Sequence, residues 1–139
     1  MNEYKSYKDS GYAWLGKIPE HWELKKIKHI FKISKEQNVA EKPVVLSLTQ
    51  QGIKIRDMST NEGQVAASYA AYNRIIRGDI VLNPMDLITG FVDKAEVEGV
   101  ISPAYTTLRS DLAIWPQYYN FFFQKHYYEK IFFAFGEGV

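Results

Sequence analysis

Residues 83 to 86 read Asn-Pro-Met-Asp. An asparagine side-chain oxygen beside a backbone carbonyl gives two acceptors for the protons of one exocyclic amino group. With an aromatic ring stacked on an extruded base, such a pair would support group transfer to that nitrogen. The first question is whether this loop does that chemistry or only turns the chain.

Amino-group DNA methyltransferases carry a similar-looking tetrapeptide: Asn or Asp, then Pro-Pro, then an aromatic. Here the third and fourth places are Met85 and Asp86, so the second proline and the stacking ring are both missing. The end, "FGEGV", faintly resembles the glycine-rich loop for the methyl donor, but it follows a predicted helix where that loop should follow a strand. A chain of 139 residues also lacks room for a cofactor domain. The sequence therefore predicts no catalytic residue and no cofactor, with Asn83-Pro84 ending the strand "DIVLN" and entering a loop.

Other chemistries fare no better. His21 and His29 are eight apart and His126 is remote, so the spacing of a metal site is absent and no metal is expected. There is no nucleophile elbow and no phosphate loop. The absence of cysteine excludes disulfides and thiolate zinc sites, and it suits a reducing cytoplasm, the expected location. The opening residues lack an apolar signal core, and no run nears the roughly 18 apolar residues of a membrane helix, so no membrane partner is expected. Length predicts one domain over 1–139. Its net charge of +1 means that any basic patch must be local.

The elements that would position these residues follow from pattern. "YKDSGYAWLGKIPEHW" is turn-rich, and residues 1–22 read as an extended arm pinned by Trp14 and Trp22. In "ELKKIKHIFKISKEQN", Ile27, Ile30, Phe31 and Ser34 allow a short helix. "PVVLSLTQQGIKIRD" and "RIIRGDIVLN" each read as strand, turn, strand, turning at Gln50-Gln51-Gly52 and Arg77-Gly78-Asp79. "MSTNEGQVAASYAAYN" reads as a loop, and "GFVDKAEVEGVISPAYTTLRS" as two or three strands. Pro116 suits a helix start, and "QYYNFFFQKHYYEKIFFAF" is long enough to be one helix. On its wheel Phe121, Phe123, Tyr127, Tyr128, Ile131, Phe132 and Phe135 share an arc, opposite Lys125, His126, Glu129 and Lys130. Phe122 and Phe133 fall on the polar side. The expectation is an α+β fold: a mostly antiparallel, twisted sheet, a long C-terminal aromatic helix and an extended N-terminal arm.

"YKDSGYAWLGKIPEHWELKKIKHIF", "GDIVLNPMDLITG", "EGVISPAYTTLR" and "FGEGV" together resemble, in order, stretches of Type I restriction-modification specificity (S) subunits. The resemblance covers nearly the whole chain and points to the N-terminal target recognition domain. It implies a component that reads one half of a bipartite double-stranded DNA target and directs methyltransferase and nuclease subunits, which carry the catalysis. It also implies that the spacer helix, second recognition domain and closing helix of that family lie outside these 139 residues. A spacer helix beside the C-terminal helix would cover Phe122 and Phe133, and without it the helix is a candidate for self-association.

Bidentate base readers are Arg, Lys, Asn and Gln. On turns and hairpins these are Gln50, Gln51, Lys54, Arg56, Asn61, Gln64 and Arg74. The basic segment around Lys25, Lys26 and Lys28 is the candidate for phosphate contacts, its alternative being a solvated face. Two other readings stay open: a protein-interaction module that uses the aromatic helix and Trp-rich arm, and a non-catalytic fragment of an adenine-N6 DNA methyltransferase.

Overall fold

A computed structural model describes residues 3–57 and 69–135. The chain forms two compact units, Met1–Ile30 and Phe31–Val139. Asn61 and Gln64 lie outside the described residues, as do most of the expected loop at 58–73 and the residues 136–139 of "FGEGV".

The first unit is a hairpin followed by a helical turn. Strand β1 (Tyr7–Asp9) pairs antiparallel with β2 (Lys17–Pro19), Tyr7 opposite Pro19 and Asp9 opposite Lys17. The connecting loop is closed by Ser10 N–H on the Gly16 carbonyl at 2.9 Å, and Gly16 sits at φ 69°, a conformation open to glycine at little cost. Helix α1 (Ile27–Ile30) is only four residues long. The expectation of an extended arm anchored by tryptophans is corrected here. Trp14 is 83% exposed and Trp22 49%, while Ile18 is buried at 3%. Pairing puts Ile18 on one face of the ribbon, whereas Trp14 projects from the loop, where no cross-strand neighbour can cover it.

The second unit carries the antiparallel sheets. Strand β3 (Lys32–Ile33) precedes the hairpin of β4 (Leu46–Thr49) and β5 (Gly52–Ile55). Then come β6 (Asn73–Ile75), β7 (Ile80–Leu82), β8 (Val92–Lys94), β9 (Gly99–Ile101) and β10 (Thr106–Arg109). They form a four-stranded sheet of order β3-β10-β7-β8, the β4-β5 hairpin and a β6-β9 pair, so the expected single sheet is divided into three. The strands β6 and β7 are where "RIIRGDIVLN" placed them, yet they pair with different partners. The turn between them, with Gly78 at φ 93°, carries the chain from one sheet to the next. Leu46, Ile75, Val81, Ala95 and Ile101 make the core, flanked by Leu48, Ile53 and Tyr105. Apart from Tyr105 and Ala95 these are β-branched or leucine side chains, the types that pack well on a pleated surface.

Helix α2 (Pro116–Tyr128) starts at the expected proline and lies against β8. Asn120, Phe123 and Tyr127 are its buried side chains, one i, i+3, i+7 stripe. The helix stops earlier than its aromatic run suggested. Lys130 adopts φ 60°, its N–H bonds the Tyr127 carbonyl at 3.1 Å, and the Ile131 N–H bonds that of His126 at 3.0 Å. This is a Schellman close with lysine in the place where glycine is usual, so the sequence carried no stop signal. A short 3₁₀ helix follows (Phe132–Phe135). The expected apolar arc is also corrected. Phe121 is 61% exposed and Tyr128 85% exposed, because the helix meets the sheet at one edge strand and buries one stripe, not a broad arc. Phe122 is exposed, as its wheel position suggested; Phe133 is exposed as well, but in the 3₁₀ helix beyond the end of that wheel.

Candidate functional site

The Asn83–Gly90 stretch is the loop of the β7-β8 hairpin, closed at its base by Asn83 N–H on the Phe91 carbonyl at 3.1 Å. The Asn83 side-chain oxygen accepts the N–H groups of Met85 at 3.0 Å and Asp86 at 3.3 Å. This is the local side chain-to-backbone turn that asparagine favours. The Asn83 carbonyl accepts the Tyr127 hydroxyl at 2.6 Å. The Asn83 side-chain oxygen and carbonyl thus both accept hydrogen bonds from within the protein.

Asp86 builds the second half of the loop. Its Oδ1 accepts the Ile88 N–H at 3.0 Å and the Thr89 N–H at 2.8 Å, and its Oδ2 accepts the Thr89 hydroxyl. The Thr89 hydroxyl, then the Thr89 N–H, pull the Asp86 carboxyl down to about 2. Gly90 is required by space, since a Cβ there would stand 1.9 Å from the Asp86 carbonyl oxygen. Lys130 Nζ donates to the Ile88 carbonyl, and Gln50 Nε2 to the Thr89 carbonyl at 3.2 Å. Burial pushes the Tyr127 hydroxyl up to about 12, so it stays a proton donor to Asn83 at neutral pH.

An acid titration tests this arrangement. The folded Asp86 carboxyl, at about 2, lies below the ordinary 3.8. Its stabilisation is therefore fully present above about pH 4 and is lost as pH falls through about 2. The melting temperature of Asp86→Asn should lie below that of the parent at pH 5, and the two should converge by pH 2. Parallel curves across that range would show that Asp86 does not hold the loop.

The chain matches no family model, no curated protein and no solved structure.

Of the described nucleic-acid candidates, four share one element. Gln50 and Gln51 form the tip of the β4-β5 hairpin, Lys54 lies opposite Ser47, and Arg56 follows β5, its N–H on the Val45 carbonyl at 2.8 Å. Gln51 and Lys54 are exposed, whereas the Gln50 amide is engaged by the β7-β8 loop. Lys25, Lys26 and Lys28 are exposed in the first unit, with Lys25 3.7 Å from Glu23.

Arg74 is placed differently from a hairpin reader. It lies within β6, and its guanidinium bonds Glu36 at 2.8 Å and Glu98 at 3.0 Å. The Glu36 hydrogen bond, then the Glu36 charge, raises its pKa further. Glu36 also takes Arg109 at 2.5 Å, and Arg109 in turn grips Asp79 through Nε at 2.9 Å and Nη2 at 2.8 Å. Hydrogen bonds from Arg109, then from Arg74, hold the Glu36 carboxyl below its ordinary range. Sequence reasoning missed this five-residue chain, because its members come from four separated segments and no local motif joins them. Among the described residues no cluster of His, Cys, Asp or Glu could hold a metal ion, and no helix is long and apolar enough to cross a membrane.

Proposed function

We propose that this chain is a DNA-recognition domain of the Type I restriction-modification specificity class, reading half of a bipartite target for partner methyltransferase and nuclease subunits. The observation that carries the reading is the run of four stretches in family order along nearly the whole sequence. The geometry of "GDIVLNPMDLITG" supports a non-catalytic role, since the Asn83 side-chain oxygen and carbonyl both take hydrogen bonds that build the turn. Phosphate contact is assigned to Lys25, Lys26 and Lys28, and base contact to the exposed hairpin side chains.

Fluorescence anisotropy with duplex DNA at increasing salt is the test. Log affinity should fall linearly with log salt, with a slope of about 0.9 per neutralised phosphate. Replacing Lys25, Lys26 and Lys28 by Ala should weaken all duplexes alike and lower the slope by up to about 2.7. No salt-dependent binding by the parent would sink the reading, and an unchanged slope in the triple variant would move the phosphate contacts elsewhere.

A second reading is favoured by the outer face of α2. Tyr118, Phe121, Phe122 and Tyr128 are exposed there, with Trp115 just before the helix and Phe133 after it. Exposed aromatics that form a patch mark interfaces. In the family context this face would meet a helix or subunit, and in the isolated chain it would self-associate. Sedimentation velocity at rising concentration should show the association, with Phe122→Ser combined with Phe133→Ser reducing it. A parent that stays monomeric throughout would exclude self-association.

A further inference from the structure

The described candidate base readers differ in whether their polar atoms are already taken. Arg74 is held within β6 by Glu36 and Glu98, and Arg56 is half-buried at the root of the β4-β5 hairpin. Gln50 turns its amide to the Thr89 carbonyl of the neighbouring loop at 3.2 Å. Gln51 and Lys54 differ from these. Both are exposed, and neither side chain has a hydrogen bond or ion pair among the described residues.

The backbone that carries Gln51 is fixed from several sides. The Thr49 hydroxyl accepts the Gln51 N–H at 3.1 Å and donates to the Gly52 carbonyl at 2.8 Å. Asp93 Oδ2 accepts the Ile53 N–H at 2.8 Å, and Gln50 ties the tip to the β7-β8 loop. A side chain on such a tip needs little further ordering of its backbone when it binds. Depth then separates the two residues. The major groove is about 12 Å wide and about 8.5 Å deep, and it admits a two-stranded ribbon. The strand from Gln51 to Lys54 rises about 10 Å. With Gln51 at the groove floor, Lys54 stands level with the phosphates at its rim.

One carboxamide satisfies the groove edge of a base-paired adenine, its oxygen accepting from the N6 amino group and its nitrogen donating to N7. An ammonium at the rim meets a phosphate oxygen, which positions the protein without reading sequence. We infer that Gln51 reads one adenine from the major groove and that Lys54 contacts a phosphate beside it. The inference deepens the DNA-recognition reading and rests on it. It narrows base reading on this hairpin to a single side chain.

Selection from a pool of randomised duplexes, run with the parent, Gln51→Ala, Gln51→Glu and Lys54→Ala, tests the assignment. Both positions are exposed, so all three variants should melt with the parent. The parent should select a site with an adenine whose replacement by any other base weakens binding roughly five- to 150-fold. Gln51→Ala should lose the preference at that position and keep it at the others. Gln51→Glu should select cytosine there, because a carboxylate accepts from the cytosine N4 amino group. Lys54→Ala should select the parent's site, bind all duplexes more weakly and lower the salt slope by about 0.9. If either Gln51 variant still selects the parent's adenine, the base assignment is overturned while DNA recognition stands. An unchanged salt slope in Lys54→Ala overturns the phosphate assignment. If the parent binds no duplex, or binds all of them alike, the DNA-recognition reading itself fails and the inference falls with it.

Discussion

Replacing Arg109 by methionine should lower the unfolding free energy by about 3 kcal/mol, the low end of the cost of breaking a buried ion pair from one side. The Asp79 carboxylate is 1% exposed, in the turn that carries the chain from β6 to β7. Its Oδ2 also accepts the Ile76 N–H at 2.9 Å, so it shapes the turn as well as meeting the arginine. Arg109 closes on it with two guanidinium nitrogens, from the end of β10. Hydrogen bonding to Asp79 raises the arginine pKa above its ordinary value. Methionine retains much of the apolar stem but leaves a buried carboxylate without its counter-ion. The low end applies because the Arg109 side chain keeps 22% exposure, which lets water compensate in part. Urea unfolding measures the loss. Adding Asp79→Asn to Arg109→Met should recover part of it, since the orphaned charge is then gone while an oxygen remains for Ile76. A single variant as stable as the parent would show that the pair contributes nothing net.

The outer members of the same chain behave differently. The Arg74 side chain is 43% exposed and Glu98 64%, and exposed pairs are worth only about 0–1 kcal/mol. The gradient from Asp79 to Glu98 therefore separates what folds the second unit from what decorates its surface.

How much of this was legible follows from the range of each interaction. The β4-β5 hairpin, the β7 and β8 strands and the start of α2 at Pro116 are local patterns of alternation, turn glycine and proline, and they stand where the sequence placed them. The division of the sheet was not legible, because β6 and β7 are adjacent in sequence and each is satisfied by a strand many residues away. The Asp79–Arg109 contact spans 30 residues and the Glu36–Arg109 contact 73, and neither has a spacing rule. The end of α2 was hidden for a different reason. Lysine at φ 60° is an uncommon choice for a helix close, and nothing in its neighbours announces it. At Asn83 the sequence indicated a turn, and the hydrogen bonds accepted by its side-chain oxygen and its carbonyl are what hold that turn.

Asp93→Ala should cost roughly 2–4 kcal/mol, because one carboxylate serves two partners from different elements and both lose it together. From β8, Oδ2 accepts the Ile53 N–H at 2.8 Å, 40 residues away on the β4-β5 hairpin. Oδ1 accepts the Asn120 amide of α2 at 3.2 Å. Asn120 is 3% exposed and its Oδ1 has no partner among the described residues, so losing Asp93 would leave the whole buried amide unpaired there. Asp93→Asn should cost less, since one oxygen survives for Ile53. Gly52 makes the clamp testable by coupling. It lies at φ 109°, and a Cβ there would sit 2.5 Å from Asp93 Oδ2. Gly52→Ala alone should therefore suffer both backbone strain and a clash with the carboxylate. In the Asp93→Ala background the clash is gone and only the strain remains. The double variant should thus be less destabilised than the sum of the singles, by more than the roughly 0.3–0.5 kcal/mol scatter of additive sites. Additive losses would mean that Asp93 does not hold the hairpin in the way its hydrogen bonds indicate.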